Sequence, residues 1–592
     1  MALRTHTCGE LRKSDVGQAV QLAGWVHAYR DHGEIVFVDL RDRAGRTQMV
    51  FDPESGKELC EQAARLRRED VVSITGTVSE RTGGVNPKMP TGEIEVMATG
   101  LEVLNKAEAP PILPDDQAGE AAEEHRLRYR YLDLRSQKMQ HIIGTRHRVL
   151  QLMRSYLAER GFWEIETPFL CRSTPEGARD YLVPSRIQAG RFYALPQSPQ
   201  LFKQILMASG CDKYMQIVRC FRDEDPRADR QAEFTQLDIE MSFVEQQDVM
   251  DLMAGLYSAV WQEVLGVEIG EIPVMAYADA MERYGIDRPD LRFAVELKDI
   301  GDLAGKTDFR VFTEVLKSDD GVVKAICVPG GASMSRKQID GLAEWAKQQF
   351  GAGGVPTCKV GANGTLEAGI SKFLGDVAPD LIQRMGANEG DLICFACGTF
   401  AMASQVLGEL RVKLGRELGL IDESQWKFVW ITDFPLLHWN EEEERWDSPH
   451  HPFTSPVPEQ LEQLESDPGS VLSRAYDLVL NGSEVAGGSI RIHRTDVQQR
   501  VFNLLGIDEA EAKAKFHFLL DALRYGCPPH GGIAVGLDRT IMHLTGTDNI
   551  RDVIAFPKTL TGMDLMTQAP SEVDPAQLEE LHVRVVEEEE GE

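Results

Sequence analysis

The stretch that most restricts what this chain can fold into runs from Tyr214 to Phe243 and reads YMQIVRCFRDEDPRADRQAEFTQLDIEMSF. An apolar run ends at Phe221, a polar block fills Arg222 to Glu233, and strict alternation follows. That pattern predicts two strands joined by a charged hairpin loop. In the second strand Leu237, Ile239, Met241 and Phe243 share one face, which puts Gln236, Asp238, Glu240 and Ser242 on the other. Two carboxylates on the inner face of a core strand are costly unless a cation lies against them. Arg222, at the mouth of the loop, points to an anionic ligand as well. Taken by themselves these residues fit two readings: a salt-bridged surface hairpin, or a wall that binds a ligand carrying both an ammonium and a phosphate. An activated amino acid is such a ligand.

At 592 residues, 42% hydrophobic and 27% charged, the chain has room for three or four domains of a soluble protein. No apolar run approaches a membrane span, and the opening MALRTHTCGELRKSD lacks the apolar core of a signal peptide, so a cytoplasmic protein without a membrane partner is expected. The one close cysteine pair, Cys394 and Cys397 in LICFACGTF, has no second pair at zinc spacing and reads as a buried strand. The formal net charge of -31 argues on its face against a nucleic-acid partner. Charges are screened over roughly 8 Å, however, so a local basic face can act inside an acidic protein.

Five strand-like runs open the chain: Val20 to His27, Ile35 to Leu40, Arg46 to Phe51, Val71 to Val78 and Ile94 to Leu104, with a helical stretch from Glu54 to Arg68 between the third and fourth. That layout is the one of an OB-fold, a small all-β barrel whose open face binds single-stranded nucleic acid. Arg30, Phe37 and Gln48 are expected on that face, where a cation, a ring and an amide could read splayed bases. Phe37 taken alone reads as a core aromatic. Residues 1–105 form this domain, and residues 106–130, rich in Pro, Ala and acidic side chains, read as a hinge linker.

The string F-R-D-E, a short loop, then E-F-T-Q-L-D-I-E resembles motif 2 of class II aminoacyl-tRNA synthetases. A long amphipathic helix over about Met139 to Gly161, followed by Phe162-Trp163-Glu164-Ile165-Glu166-Thr167-Pro168, resembles motif 1, and Gly532-Ile533-Ala534-Val535-Gly536-Leu537-Asp538-Arg539 resembles motif 3. With the motifs in this order behind an OB-type domain, nearly the whole chain resembles the bacterial-type aspartyl-tRNA synthetases. The resemblance implies an α+β catalytic domain on an antiparallel sheet in two parts, residues 131–284 and 421–557. It also implies an inserted α+β module at 285–420, of the kind shared with a tRNA-dependent amidotransferase subunit, and an extension at 558–592. Within the module, Ser335-Arg336-Lys337-Gln338 predicts a capping box for a helix ending near Gly351.

The same resemblance assigns roles. L-aspartate would meet Glu176 on a mobile loop, Gln200 and Lys203 three apart at a helix start, Asp238, His450 and Arg491, with Arg222 on its activated carboxylate. Adjacent His450 and His451 could suggest a metal pair, but neighbours on a strand face opposite ways and no further ligands lie close. ATP would meet Arg222, Asp223, Glu224, Gln231, Glu484, Gly536, Leu537, Asp538 and Arg539, and Asp477 with Glu484 would hold Mg2+ on its phosphates. Arg222 on the α-phosphate and Arg539 on the γ-phosphate are the catalytic pair, and Arg491 sets selection for a carboxylate side chain. Arg30, Phe37 and Gln48 fall where the family has its anticodon contacts. His32 and Gly84 resemble members of relaxed choice that charge tRNA(Asn) as well as tRNA(Asp), and the motif 1 region implies a homodimer. Two positions depart from the family pattern: Ala486 stands where glycine is usual, and Ala232 where proline is usual. The alternatives are a strictly tRNA(Asp)-specific enzyme, a lysyl- or asparaginyl-tRNA synthetase, an ammonia-dependent asparagine synthetase and a non-catalytic tRNA-binding relative.

Overall fold

The computed structural model describes residues 3–114, 119, 121–174 and 178–586. They divide into two compact units, residues 3–144 with 551–572, and residues 145–550 with 573–586. In the first unit the strands Ala19–Asp31, Val36–Asp42, Gly45–Phe51, Ile94–Asn105 and Val71–Glu80 follow one another around a closed barrel. Alternate residues point inward, so Val20, Leu22, Val26, Val36, Val38 and Leu40 meet Ile74, Val78, Ile94 and Val96 in one apolar core. The helix expected over Glu54 to Arg68 is shorter. A single turn at Pro53–Ser55 and a helix at Lys57–Ala63 are separated by Gly56, whose φ of 105° no α-helix can contain.

The expected linker is also shorter than its composition suggests. Glu123–Arg128 and Arg130–Asp133 are helical, and the buried Arg126 bridges Asp133 and Asp552. Arg130 donates to the carbonyls of Arg551, Ile554 and Ala555, so the two arginines bind a segment that is 421 or more residues away in sequence.

The second unit is built on an eight-stranded sheet. Its order is Val274–Ala276, Phe428–Thr432, Ala475–Leu480, Ser483–Ile490, His530–Gly536, Glu233–Ser242, Lys213–Phe221 and Trp163–Glu164. The six inner strands are antiparallel, and each edge strand is parallel to its neighbour. The predicted hairpin supplies its sixth and seventh strands: Lys213–Phe221 pairs with Glu233–Ser242 from Glu233 opposite Phe221 to Met241 opposite Lys213. Phe243 is an exception to the predicted face. It lies past the strand end with φ 58° and is 72% exposed. The motif 1 helix runs Gln137–Ala158, and the strand after it is only Trp163–Glu164.

In sequence, between strands Val274–Ala276 and Phe428–Thr432 of this sheet, the chain builds a five-stranded sheet, Lys298–Asp299, Gly321–Val328, Leu392–Thr399, Thr357–Val360 and Leu366–Glu367. Helices Arg336–Phe350 and Phe400–Glu417 bury one of its faces, while Ala378–Met385 shares a second core on the other. Ser335 and Gln338 cap the first helix reciprocally, and Gly351 ends it at φ 66°. Cys394 is fully buried in strand Leu392–Thr399. Among the described residues no helix is long and apolar enough to cross a membrane.

Candidate active site

Helix Gln200–Ala208 buries Gln200 and Lys203, and Lys203 reaches the hairpin strand Glu233–Ser242. Lys203 Nζ donates to Asp238 Oδ1 at 2.5 Å and lies 3.3 Å from Glu240 Oε2. Arg491, one residue beyond strand Ser483–Ile490, donates from Nε and Nη2 to Glu240 Oε1 and Oε2 at 3.0 and 3.1 Å. Its Nη1 reaches Ser489 Oγ at 2.6 Å. These four side chains are at most 2% exposed, so two cations and two carboxylates are sealed in mutual contact. Both faces of strand Glu233–Ser242 are therefore covered, one by apolar side chains and one by charges.

Small residues make this crossing possible. A Cβ at Gly532, opposite Glu240 in the sheet, would fall 2.0 Å from Glu240 Oε2. The carboxylates differ in charge balance. Burial pushes the Asp238 carboxyl above its ordinary range against the pull of Lys203, whereas at Glu240 Arg491 and Lys203 outweigh burial and hold it below. Asp238 Oδ2 and Gln200 Nε2 are buried without a hydrogen-bond partner. Both residues line a cavity of about 660 Å³ with Lys203, Arg491 and Arg222. An open acceptor, an open donor and three cations in one cavity suit a zwitterion with an extra carboxylate.

His450 and His451 also line it, in a loop rather than in the strand the sequence suggested, so adjacency does not send them to opposite sides. His451 Nε2 lies 2.7 Å from Arg491 Nη1, and its Nδ1 accepts from the Phe453 N–H at 3.2 Å. His450 meets the Phe434 ring edge to face at 4.8 Å, with Nε2 buried and unpartnered. Burial and the Arg491 charge depress both rings, His450 to about 4 and His451 well below the usual range, so both are neutral near pH 7. Sequence reasoning named His450 and missed His451; the only available signal was its place beside the first.

A second cavity of about 240 Å³ shares Arg222, Glu224, Gln236 and Glu484 with the first and adds Gln231, Gly536, Asp538 and Arg539. Arg222 has a buried, unpartnered Nε and stands 5.2 Å from the Phe234 ring centre. Arg539 Nη1 donates to the Glu484 carbonyl at 2.9 Å and Nη2 approaches Asp229 at 3.4 Å. Asp477 and Glu484 converge over Gly487, where an added Cβ would lie 2.8 Å from Asp477 Oδ1 and 3.2 Å from Glu484 Oε1. Burial, then Glu484 and Asp287, pushes the Asp477 carboxyl well up.

Three expected residues stand differently. Asp538 has both oxygens occupied, Oδ1 by Arg146 Nη1 at 2.5 Å and Oδ2 by the Thr235 N–H at 2.8 Å, so it ties motif 3 to the hairpin. Leu537 is fully buried and lines neither cavity. Asp223 lies outside both linings and faces Arg179 on the surface. Glu176 lies outside the described residues. The two departures are mild: Ala486 is buried in the wall of the smaller cavity, and the Ala232 carbonyl accepts the Arg222 N–H that closes the hairpin loop.

On the barrel, Gln48 is not an open amide. It is 4% exposed; its Oε1 accepts from Arg30 and Arg81 at 3.1 and 2.8 Å, and its Nε2 donates to Glu95 at 2.8 Å. Arg30 is also paired with Asp39. Phe37 is half-buried and meets the His32 ring edge to face at 5.7 Å. Gly84 has φ 82° with nothing near where a Cβ would be. Arg81 and Glu95 were not singled out from the sequence, because nothing local distinguishes them from other charged strand residues.

Comparison with known proteins places these arrangements. A profile of class II tRNA synthetases (D, K and N) matches residues 122–560, and one of OB-fold nucleic acid binding domains matches residues 20–104. The chain is 51% identical over 584 residues to the aspartate–tRNA(Asp/Asn) ligase of Syntrophotalea carbinolica, covering 98% of each. It is 51% identical over 586 residues, again 98% of each, to the aspartate–tRNA ligase of Bacillus licheniformis. A solved asparaginyl-tRNA synthetase from Pyrococcus horikoshii, complexed with asparaginyl-adenylate, shares the fold at a TM-score of 0.59 and 21% identity, over 94% of this chain and 98% of that one.

Proposed function

The chain belongs to the class II tRNA synthetases of the D, K and N group, among the aspartate–tRNA ligases, and from that premise we propose which of its side chains perform each part of the reaction. The enzyme attaches aspartate to tRNA with ATP as co-substrate. The observation that carries the assignment is the buried quartet of Lys203, Asp238, Glu240 and Arg491 opening into the Arg222 cavity.

Aspartate enters with its ammonium against Asp238 Oδ2 and its side-chain carboxylate against Lys203 and Arg491. Glu240, Ser489 and His451 already engage four of the five N–H groups of Arg491, so the substrate meets the guanidinium at the remaining Nη2 proton and Lys203 at its third. Asparagine would set an amide N–H against these cations and leave charge uncompensated, which costs several kcal/mol. The α-carboxylate then attacks the α-phosphate of ATP, forming the mixed anhydride as the bond to pyrophosphate breaks. Arg222 holds the charge that develops there, and Arg539 holds the far end of the triphosphate. Glu224 and Gln231 border the smaller cavity that fits the adenosine. The tRNA terminal ribose hydroxyl finally takes the aspartyl group, releasing AMP.

Asp477 and Glu484 fit Mg2+: two hard oxygens converge over a glycine that leaves the space open, and the phosphates would complete the ligand set. When bound, the ion neutralises phosphate charge. Exposed Trp163, Phe169, Leu170 and Phe192 support a second copy of the chain as a homodimer partner.

Relaxed tRNA choice is the reading favoured by His32 against Phe37 and by the unfilled space at Gly84. Labelled aspartate offered with two transcripts, one bearing the aspartate and one the asparagine anticodon, tests it. Charging of both at comparable efficiency is the expected result; charging of the aspartate transcript alone makes His32 and Gly84 incidental, and charging of neither defeats the whole assignment.

A further inference from the structure

The inserted module is joined to the catalytic sheet at one place that bears on the chemistry, the turn between strands Ala475–Leu480 and Ser483–Ile490. Those two strands carry Asp477 and Glu484. The turn is Asn481-Gly482, with φ of 51° and 83°, the backbone a two-residue hairpin of this hand requires. Its side chain does more than shape the turn. Asn481 Oδ1 accepts the Lys427 N–H at 2.9 Å, Nδ2 donates to the Gln425 carbonyl at 3.0 Å, and the Asn481 N–H donates to the Lys427 carbonyl at 3.1 Å. Residues 425 and 427 belong to the segment by which the chain leaves the module. The entering segment presses on the same turn: a Cβ at Gly482 would lie 3.1 Å from Asp290 Cβ.

Entering and leaving segments are also locked to one another. Arg292 donates to Asp290 from Nε and Nη2 at 3.0 and 2.7 Å, and from Nη1 to Glu423 at 2.6 Å. From the module itself, the buried Arg411 donates to the carbonyls of Asp290, Phe293 and Val295. Asp287, on the entering segment, lines the substrate cavity with Asp477 and Glu484. The Glu484 carbonyl holds Arg539.

We propose that the two roots of the inserted module position the phosphate-binding edge of the active site, with Asn481 as the positioning residue that transmits their rigidity to Asp477, Glu484 and Arg539. The proposal rests on the assignment of those three residues to ATP. Lys203, Asp238 and Glu240 lie on or against a different strand, and Arg491, past the far end of Ser483–Ile490 from the turn, is held by Glu240, so the brace acts on ATP and its metal more than on aspartate. Groups that orient metal ligands from behind typically alter affinity about tenfold or more when lost.

The test variant is Asn481→Gly, which keeps a residue suited to φ above zero and removes only the side-chain ties. MgATP titrated calorimetrically into the full-length protein without aspartate should bind about tenfold more weakly than to wild type. In pyrophosphate exchange the KM for ATP should rise by a similar factor while the KM for aspartate stays within about twofold. Arg292→Met, which cuts the brace from the module side, should shift the same constants in the same direction, and Asn481→Asp, which keeps the acceptor for Lys427, should fall between glycine and wild type. Unchanged MgATP affinity in Asn481→Gly overturns the proposal, as does an equal rise in the KM for aspartate, which would mark general loosening. Absence of aspartate-dependent exchange in wild type would defeat the catalytic assignment instead, and the titration would still decide the brace.

Discussion

The substrate quartet and the barrel face are both polar networks laid on β-strands, and they are built to opposite rules. In the quartet, Lys203, Asp238, Glu240 and Arg491 are at most 2% exposed and each charge faces an opposite one, while Asp238 Oδ2 stays open toward the cavity. On the barrel, Gln48 and Glu95 are buried, but Arg30 is 45% exposed on its side chain and the Phe37 ring is half open. A sealed network couples recognition to stability, because removing one member leaves its partner charged and dry. A face that keeps one side in water separates the two, and its residues can change with little effect on folding.

The largest expected effect tests the sealed side. Arg491→Leu should abolish aspartate-dependent pyrophosphate exchange and also destabilise the second unit by about 3–5 kcal/mol in denaturant unfolding, since Glu240 loses its guanidinium. Adding Glu240→Gln to Arg491→Leu should recover most of the stability and none of the activity. Full stability in the single variant would break the comparison.

Next in size is a pH effect at a partly buried site with no direct substrate role. Burial, then Arg292 and Arg539, holds His543 down to about 4. The folded ring therefore stays neutral where the unfolded one takes up a proton. Its stabilising contribution is complete above pH 6.5 and drains away as pH falls toward 4, a change on the order of 3 kcal/mol. His543→Gln should flatten that part of the profile of unfolding free energy against pH; an unaltered profile would show that the ring is solvated.

On the open side, Phe37→Ala should raise the KM for tRNA about tenfold to a hundredfold, as expected for one lost stacking contact, with pyrophosphate exchange and melting temperature nearly unchanged. A comparable loss of stability would show the ring to be core. Smallest of all, Gly84→Ala adds a methyl into open space at φ 82° and costs about 1 kcal/mol of loop conformation. It should weaken charging of both transcripts by less than about tenfold, and a selective loss of the asparagine transcript would sharpen the role of this loop.

Much of this architecture was legible because strands and barrels write themselves in a period of two. The barrel strands begin and end within about four residues of their alternating runs, and the Ser335 capping box stands where its spacing placed it. Failures have local causes. Gly56 stops a helix that composition would continue, and the left-handed Phe243 leaves the strand one residue before its alternation ends. Arg126 and Arg130 turn an apparent linker into packed helices through partners more than 420 residues away, which no window of sequence contains.

The site divides the same way. Sequence by itself determined which residue types lie on which strand face, and so that Asp238 and Glu240 needed cations. Only the tertiary structure decided which cations these are. Arg491 meets Glu240 across 251 positions of sequence, through a register that sets Glu240 opposite Gly532 and leaves room for the guanidinium to cross. It likewise made Asp538 a tie to Arg146 and Thr235, turned His451 toward Arg491, and set Asn481 against the roots of the module. Local pattern encodes the face a side chain takes, because the pleat repeats every two residues; its partner depends on how distant strands slide against one another, and that is settled only when the whole sheet packs.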